Sequence, residues 1–475
     1  MFAADGWLNV ALTAFCDFLW AYLLIGALIV CGLYFTIRTR FVQFRMVGEM
    51  VRLLGDASGN KHKRISSFQA FAVSVATRVG TGNLAGVATA IAVGGPGAVF
   101  WMWLIAIIGG ATAFVESTLA QLYKRRDGES FIGGPAYYIL HGMHCRWLAV
   151  TFAVLMILTF GLSYNSIQSN TICSAMNNAF GFNELVVGCI LAAVGTFIAF
   201  GGIRRIAHVS SVVVPIMAVG YFILAFVVVL MNADKIPHVF RLIISSAFGL
   251  EQFAGGALGM TMMAGIKRGL FSNEAGEGSA PNVAATAHVS HPVKQGLVQA
   301  LGVYTDTLLV CSCTAFIILI SGLYTDPSLN GIALTQNALQ SEIGSIGTIF
   351  VAIAIFLFAF SSIIGNYYYG EANIRFLTDK RWVVTVFRVL SGTVMVLFGA
   401  AASLELVWSL GDVCMALLTA CNLVGIAFLG KYAFKLLDDY RRQKRAGIAS
   451  PTFTATQLPD IACDLDAWHE NTKID

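Results

Sequence analysis

Apolar residues run along this chain in long unbroken stretches, not at the period of two or of three to four that marks a half-buried strand or helix. Eleven such segments can be drawn, at 17–37, 68–92, 97–123, 147–168, 184–202, 209–231, 250–286, 295–322, 346–370, 382–400 and 406–430. About 20 helical residues cross a hydrocarbon core roughly 30 Å thick. Only helices and closed barrels satisfy every backbone group in lipid, and these runs are too long for barrel strands. The pattern therefore predicts an all-α polytopic membrane protein of about eleven transmembrane helices. The segment 250–286 would extend about 55 Å as one helix, so it must break, tilt or re-enter. Shorter apolar stretches at 131–143 and 329–343 are expected to lie along the membrane surface. The chain divides into an N-terminal helix with a basic loop (1–65), two halves (66–232 and 233–432) and a polar tail (433–475) with no recognisable domain.

One stretch does not suit its place. Between Ala76 and Ala90 the second segment carries Arg78, Gly80, Thr81, Gly82 and Asn83 at the depth of a lipid-facing helix. Paired glycines weaken a helix, and an arginine near mid-bilayer costs roughly 3 kcal/mol on insertion scales. Non-helical backbone at such depth persists only where protein buries it or a cavity lines it. A broken helix is expected here, with freed amides facing an anion and freed carbonyls facing a cation. Arg78 to Ala90 also aligns with Arg268 to Ala280 at a constant offset of 190: Arg, Asn five residues on, then Ala-Gly, then a small hydroxyl followed by Ala. The two segments run in opposite directions, the mark of inverted-topology repeats whose paired interruptions hold substrate near the midplane. Segments two to six and seven to eleven would be the halves.

Composition agrees and adds orientation. The 475 residues are 57% hydrophobic and 12% charged, about half the charge fraction of an ordinary soluble domain. The chain has 30 Lys and Arg, and 23 of them fall in the loops that alternate to one side once the loop after segment one is placed there. The positive-inside rule makes that side cytoplasmic, with the N-terminus outside and the C-terminus inside. No basic n-region precedes the first apolar run, so no cleavable signal peptide is expected. The ten cysteines include no Cys-x-x-Cys pair and read as small buried residues. His288-x-x-His291 and His141-x-x-His144-Cys145 lack nearby third and fourth ligands for a metal. Without a Walker loop, a nucleophile elbow or a zinc-protease motif, nothing points to an ATPase, a hydrolase or another enzyme. No nucleic acid and no obligatory protein partner are expected.

Arg78-Val-Gly-Thr-Gly-Asn-Leu-Ala-Gly-Val-Ala-Thr-Ala-Ile91, Gly94-Gly-Pro-Gly-Ala-Val-Phe-Trp-Met-Trp103, Arg268-Gly-Leu-Phe-Ser-Asn-Glu-Ala-Gly-Glu-Gly-Ser-Ala-Pro281 and Phe358-Ala-Phe-Ser-Ser-Ile363 closely resemble the alanine/glycine:cation symporter family. The similarity extends through Lys431. It implies a leucine-transporter-like five-plus-five inverted repeat with one added N-terminal helix. It also implies Na+-coupled uptake of alanine or glycine across a bacterial inner membrane. By motif, Gly80, Thr81, Gly82 and Asn83 would give main-chain contacts to substrate, with Gln168 and Phe271 lining the pocket. Ser361 and Ser362, with carbonyls near Ala76 and Val79, would hold Na+. The residue-level alternatives are helix-bonding for Gln168, simple packing for Phe271 and back-bonding for the serines. Many members have Gly-Trp before the Tyr-Tyr-Gly-Glu run, where this chain has Gly365-Asn366. The smaller, polar Asn366 opens the pocket to serine or glutamine.

The intramembrane charges complete the expectations. Arg78 and Glu116 come out at similar depth, so a structural ion pair is favoured over direct capture of a substrate carboxylate by Arg78. Asp306 and Asp412 are candidate proton or cation sites, followed by Glu274 and Glu277. A proton-coupled transporter and a passive small-solute channel remain as alternatives to Na+ symport.

Overall fold

The computed structural model describes residues 7–55, 65–128, 130–199, 202–249 and 255–469. Lys61, Lys63, Arg64 and Lys473, which entered the charge count, lie outside these residues, as does the start of segment 250–286. Among the described residues, seven helices are long and apolar enough to cross a membrane: Val10–Arg38, Ala98–Leu122, Arg146–Phe180, Ser210–Met231, Pro292–Ser321, Ser345–Leu377 and Leu404–Arg445. Two more are the helices Glu184–Ala199 and Arg381–Gly399. The remaining two segments are broken, one into Ser67–Arg78 and Gly82–Gly94, the other into Gly255–Asn273 and Ala280–Ala284. Where described, all eleven apolar segments are thus helical, and the two expected to be irregular are the two that break.

Helix ends differ from the hydropathy edges where polar residues are buried by protein. Segment 147–168 continues to Phe180, because Asn165, Ser166, Gln168, Ser169 and Thr171 pack against neighbouring helices instead of meeting water. The last helix runs 42 residues, to Arg445. Gly331–Ile343 occupies the predicted surface stretch at 329–343, and Pro135–Gly142 that at 131–143. Elements outside the eleven segments include an antiparallel hairpin pairing Arg125–Asp127 with Ser130–Ile132 and the short apolar helix Ile236–Ala247.

Glycine sets the closeness of the bundle. A Cβ on Gly97 would lie 2.4 Å from the Ala247 nitrogen, and one on Gly265 would lie 2.3 Å from the Ala98 carbonyl oxygen. Such contacts replace the hydrophobic drive that lipid cannot supply between helices. The tail after Arg445 forms no domain, yet it is ordered through residue 469 as a strap across the basic end. Trp468 is buried, with its indole N–H donating to the Gln121 carbonyl at 3.0 Å, and the Phe453 amide donates to Ser290 at 2.9 Å.

The interruptions are not in the register that the offset of 190 suggests. The first falls at residues 79–81. The second follows Asn273, where Glu274 at φ 56°, Gly276 at φ 93° and Gly278 at φ 88° turn the chain before Ala280. Residues 269–271, the counterparts of 79–81, are helical. The shared motif marks equivalent helices, but left-handed backbone at two glycines fixes the second break.

Candidate substrate and ion site

The first half-helix begins on a capping box, in which the Gln69 amide donates to Ser66 Oγ and the Ser66 amide to Gln69 Oε1. It ends because Val79 turns to φ −78°, ψ 90°. Of the amides that follow, Gly80 N–H donates to Asn83 Oδ1 at 2.9 Å and Thr81 N–H donates to Gln168 Oε1 at 3.0 Å. Gln168 therefore puts an oxygen on the unwound backbone, the contact a carboxylate would also make. Asn83 acts through its side chain. Its Nδ2 reaches Asp306 Oδ1 at 2.7 Å, Ser272 Oγ at 3.2 Å and Cys311 Sγ at 3.3 Å. Ser272 Oγ donates to the other Asp306 oxygen at 2.5 Å, so one buried carboxylate links the two broken helices.

On the other side, Ser362 Oγ lies 2.8 Å and Ser361 Oγ 3.5 Å from the Ala76 carbonyl, and both hydroxyls also back-bond to Phe358. Ala76, Val79 and both serines are buried. This oxygen-only set, built from main-chain carbonyls and hydroxyls, fits a hard monovalent cation. Gly80 stands between the two groups: a Cβ there would lie 2.3 Å from Ser362 Oγ and 2.9 Å from Gln168 Oε1.

Phe271 packs its ring 4.7 Å from those of Tyr164 and Trp408, and a Cβ on Gly82 would come within 3.0 Å of it. Its ring closes over the unwound segment from the second half. Asn366, one turn beyond Ser362, donates to Asn165 Oδ1 at 3.2 Å while its own Oδ1 has no hydrogen-bond partner. Thr81 Oγ1 is likewise buried and unpartnered. Buried polar atoms are nearly always satisfied, so orphans on both sides of the break are suited to a polar ligand. The structure thus brings Ala76, Gly80, Thr81, Gln168, Ser361 and Ser362 together at the first break, with Phe271 against Gly82, while Asn366 reaches Asn165 on the helix that carries Gln168.

The charges depart from expectation. Arg78 and Glu116 form no ion pair. Glu116 accepts from the Gly276 amide at 3.2 Å and from Asn422 Nδ2 at 2.8 Å, holding the second break. Arg78 donates one N–H to the Gln299 carbonyl at 3.2 Å, and its Nε and Nη2 are buried without partners. Similar depth placed both residues near the breaks, but depth does not fix the direction in which a helix turns each side chain. Asp412 is paired bidentately with Arg268 at 2.6 and 2.9 Å, so its oxygens are committed. Glu274 takes the Ser279 hydroxyl at 2.5 Å and Glu277 that of Tyr164 at 2.7 Å. Ser272 and Asn422 were missed by the sequence reading. Asp306 was named only as an isolated acid, because its partners stand on helices remote in sequence. Among the described residues no group of three or more His, Cys, Asp or Glu is placed to hold a metal, and neither histidine pair forms one.

Two interrupted helices packed against each other, with the Thr81 amide and the buried Ala76 carbonyl beside one break, are the arrangement found in secondary transporters and not in enzymes. The comparisons name the family. Residues 5–455 match the model described as the sodium:alanine symporter family, and the chain belongs to it. It is 54% identical over 461 residues to the probable sodium/glutamine symporter GlnT of Bacillus subtilis, covering 97% of this chain and 96% of that one. It is 49% identical to the amino-acid carrier protein AlsT of the same organism, covering 96% and 97%. A 44% identical relative, again from B. subtilis, is the putative sodium/proton-dependent alanine carrier protein YrbD, covering 96% and 98%. Among solved structures, MhsT in complex with L-phenylalanine superposes with a TM-score of 0.56 at 13% identity, covering 80% of this chain and 99% of that one. That likeness establishes the leucine-transporter-like fold.

Proposed function

We propose that this protein takes up a small neutral amino acid together with Na+ by alternating access across the bacterial cytoplasmic membrane. The N-terminus lies outside and the C-terminal strap inside. The observation that carries the reading is the single break at Val79–Thr81, which offers the Thr81 amide to a carboxylate and the Ala76 and Val79 carbonyls to a cation within a few residues. Na+ held by Ala76, Val79, Ser361 and Ser362 would tie the first broken helix to Ser345–Leu377 and so organise the substrate side of the same break. Arg78 is assigned to holding the broken helix, through its bond to the Gln299 carbonyl on a neighbouring helix.

The test is uptake of labelled alanine and glutamine into vesicles under an imposed gradient. Accumulation above equilibrium is expected, and it should disappear when choline replaces Na+ at fixed proton gradient. Ser362→Ala should raise the Na+ concentration for half-maximal uptake about tenfold or more, as expected where one of a few ion ligands is lost. Flux that never exceeds equilibration would end the symport reading. Accumulation indifferent to choline would transfer the coupling to protons, the ion that joins sodium in the name of YrbD.

Side-chain selection is assigned to Asn366, whose unpartnered Oδ1 is a hydrogen-bond acceptor for a polar substrate. Serine and glutamine are therefore proposed as substrates beside alanine and glycine. Asn366→Trp fills that space and removes the carboxamide. Glutamine uptake should fall at least tenfold relative to alanine uptake. Equal loss for both substrates would place Asn366 outside the side-chain pocket.

A further inference from the structure

A cavity of about 650 Å³ lies at the basic end of the molecule, away from the broken helices. None of its lining residues belongs to the substrate and ion site. The hairpin supplies Arg125 and Arg126, the last turn of Ser345–Leu377 supplies Arg375, and the first two turns of Arg381–Gly399 supply Arg381, Thr385 and Arg388. Five guanidinium groups face two carboxylates in the lining, those of Asp127 and Asp379. The pairing is uneven. Arg375 and Arg388 both bind Glu371, at 2.6 and 3.0 Å, and Arg375 also approaches Asp127 at 3.5 Å. Among the described residues no carboxylate pairs with Arg125, Arg126 or Arg381, and Arg125 Nε is shielded from solvent without a hydrogen-bond partner.. Three forked donors around one cavity suit the tetrahedral oxygens of a phosphate group, which guanidinium binds bidentately.

The apolar surface beside the cavity indicates where that phosphate comes from. Trp382 is 64% exposed on the first turn beside Arg381, where interfacial tryptophans sit at the headgroup level. Positions 381, 384, 385 and 388 face the cavity, while Val386, Val389 and Leu390 on the adjoining faces of the same helix are exposed apolar surface. A phosphate in the cavity would therefore have acyl chains laid along an apolar helix face. The size also falls in the roughly 300–1,000 Å³ range of small-molecule sites. We infer that the cavity formed by Arg125, Arg126 and Arg381 binds a phosphate-bearing anion, the headgroup of an acidic phospholipid of the inner leaflet. Basic pockets between transmembrane helices on that side take such headgroups. Because the site joins the hairpin to the ends of Ser345–Leu377 and Arg381–Gly399, its occupant would brace the helix that carries Ser361, Ser362 and Asn366.

The test uses the purified full-length protein in a neutral detergent and does not depend on transport. Thermal unfolding is followed with added phosphatidylglycerol, with phosphatidylcholine of the same chains, or with inorganic phosphate. Phosphatidylglycerol is expected to raise Tm by about 3 °C, phosphatidylcholine to leave it unchanged, and Arg126→Gln combined with Arg381→Gln to remove the rise. Both substituted residues are exposed and carry no ion pair, so the fold should persist; native mass spectrometry of the unaltered protein, counting retained phosphatidylglycerol against phosphatidylcholine, needs no variant. A rise from inorganic phosphate equal to that from phosphatidylglycerol supports the anion site and overturns its lipid source. Equal responses to the two lipids, or a rise undiminished in the double variant, overturn the site itself.

Discussion

Gly80→Ala is expected to reduce amino-acid uptake by about 100-fold or more while leaving the amount of protein in the membrane near normal. Gly80 does not have a left-handed backbone, so the effect is one of space. The added methyl would sit 2.3 Å from Ser362 Oγ, 2.9 Å from Gln168 Oε1 and 3.2 Å from Gln168 Nε2. Ser362 can turn away only by giving up its contact with the Ala76 carbonyl. Gln168 can withdraw only by releasing the Thr81 amide. Either response displaces a binding group by about 1 Å, a misplacement that can cost 10²-fold where geometry matters. Gly86→Ala is the matched control, since its nearest neighbour outside the helix is Trp408 Cη2 at 3.6 Å, an ordinary contact. Labelled-alanine uptake normalised to immunoblotted protein separates the two. Uptake by Gly80→Ala within threefold of the unaltered protein would show that the segment has room to spare.

That contrast bears on what a sequence can disclose. The first break was legible because Arg78, Gly80, Gly82 and Asn83 are individually unfavourable in a lipid-facing helix, so their succession needed another explanation. The bundle was legible for a similar reason: hydrocarbon thickness is a fixed ruler, and runs of about 20 apolar residues can be measured against it. What could not be read were the relations across the bundle. Asp306 stood out only as an acid in an apolar run. That it receives Asn83 and Ser272 depends on how three helices are rotated about their axes. Depth suggested Glu116 as the partner of Arg78, yet rotation gives Glu116 to Gly276 and Asn422. The constant offset of 190 paired the correct helices but misplaced the second break. A left-handed turn at Gly276 or Gly278 leaves the same letters in the sequence as a helix-packing glycine.

Asp412→Ala should cost most of the folded protein. Its carboxylate accepts two bonds from Arg268, and the Lys267 ammonium lies 3.7 Å away. Both members of the main pair are at least nine-tenths buried. Removing one partner of such a pair strands the other charge and costs about 3–5 kcal/mol, a large part of a typical total stability of roughly 5–15 kcal/mol. Lys267 does not compensate, because its remaining acid, Asp17 at 3.6 Å, is half exposed. The consequence reaches the first broken helix: Arg268 lies 4.0 Å over the Trp408 ring, and Trp408 packs on Phe271, which closes over Gly82. Size-exclusion of a fluorescently tagged protein should show Asp412→Ala largely aggregated and Asp412→Asn intermediate, since asparagine retains one acceptor oxygen. Replacing the pair together, Arg268→Met with Asp412→Leu, removes both charges and should recover the folded peak, because an apolar pair of similar volume carries no desolvation cost. Uptake should remain impaired in that double variant, since Trp408 would no longer be held by a cation over its ring. A normal peak for Asp412→Ala alone would mean that Arg268 finds water in the membrane, and the pair would then be incidental to the fold.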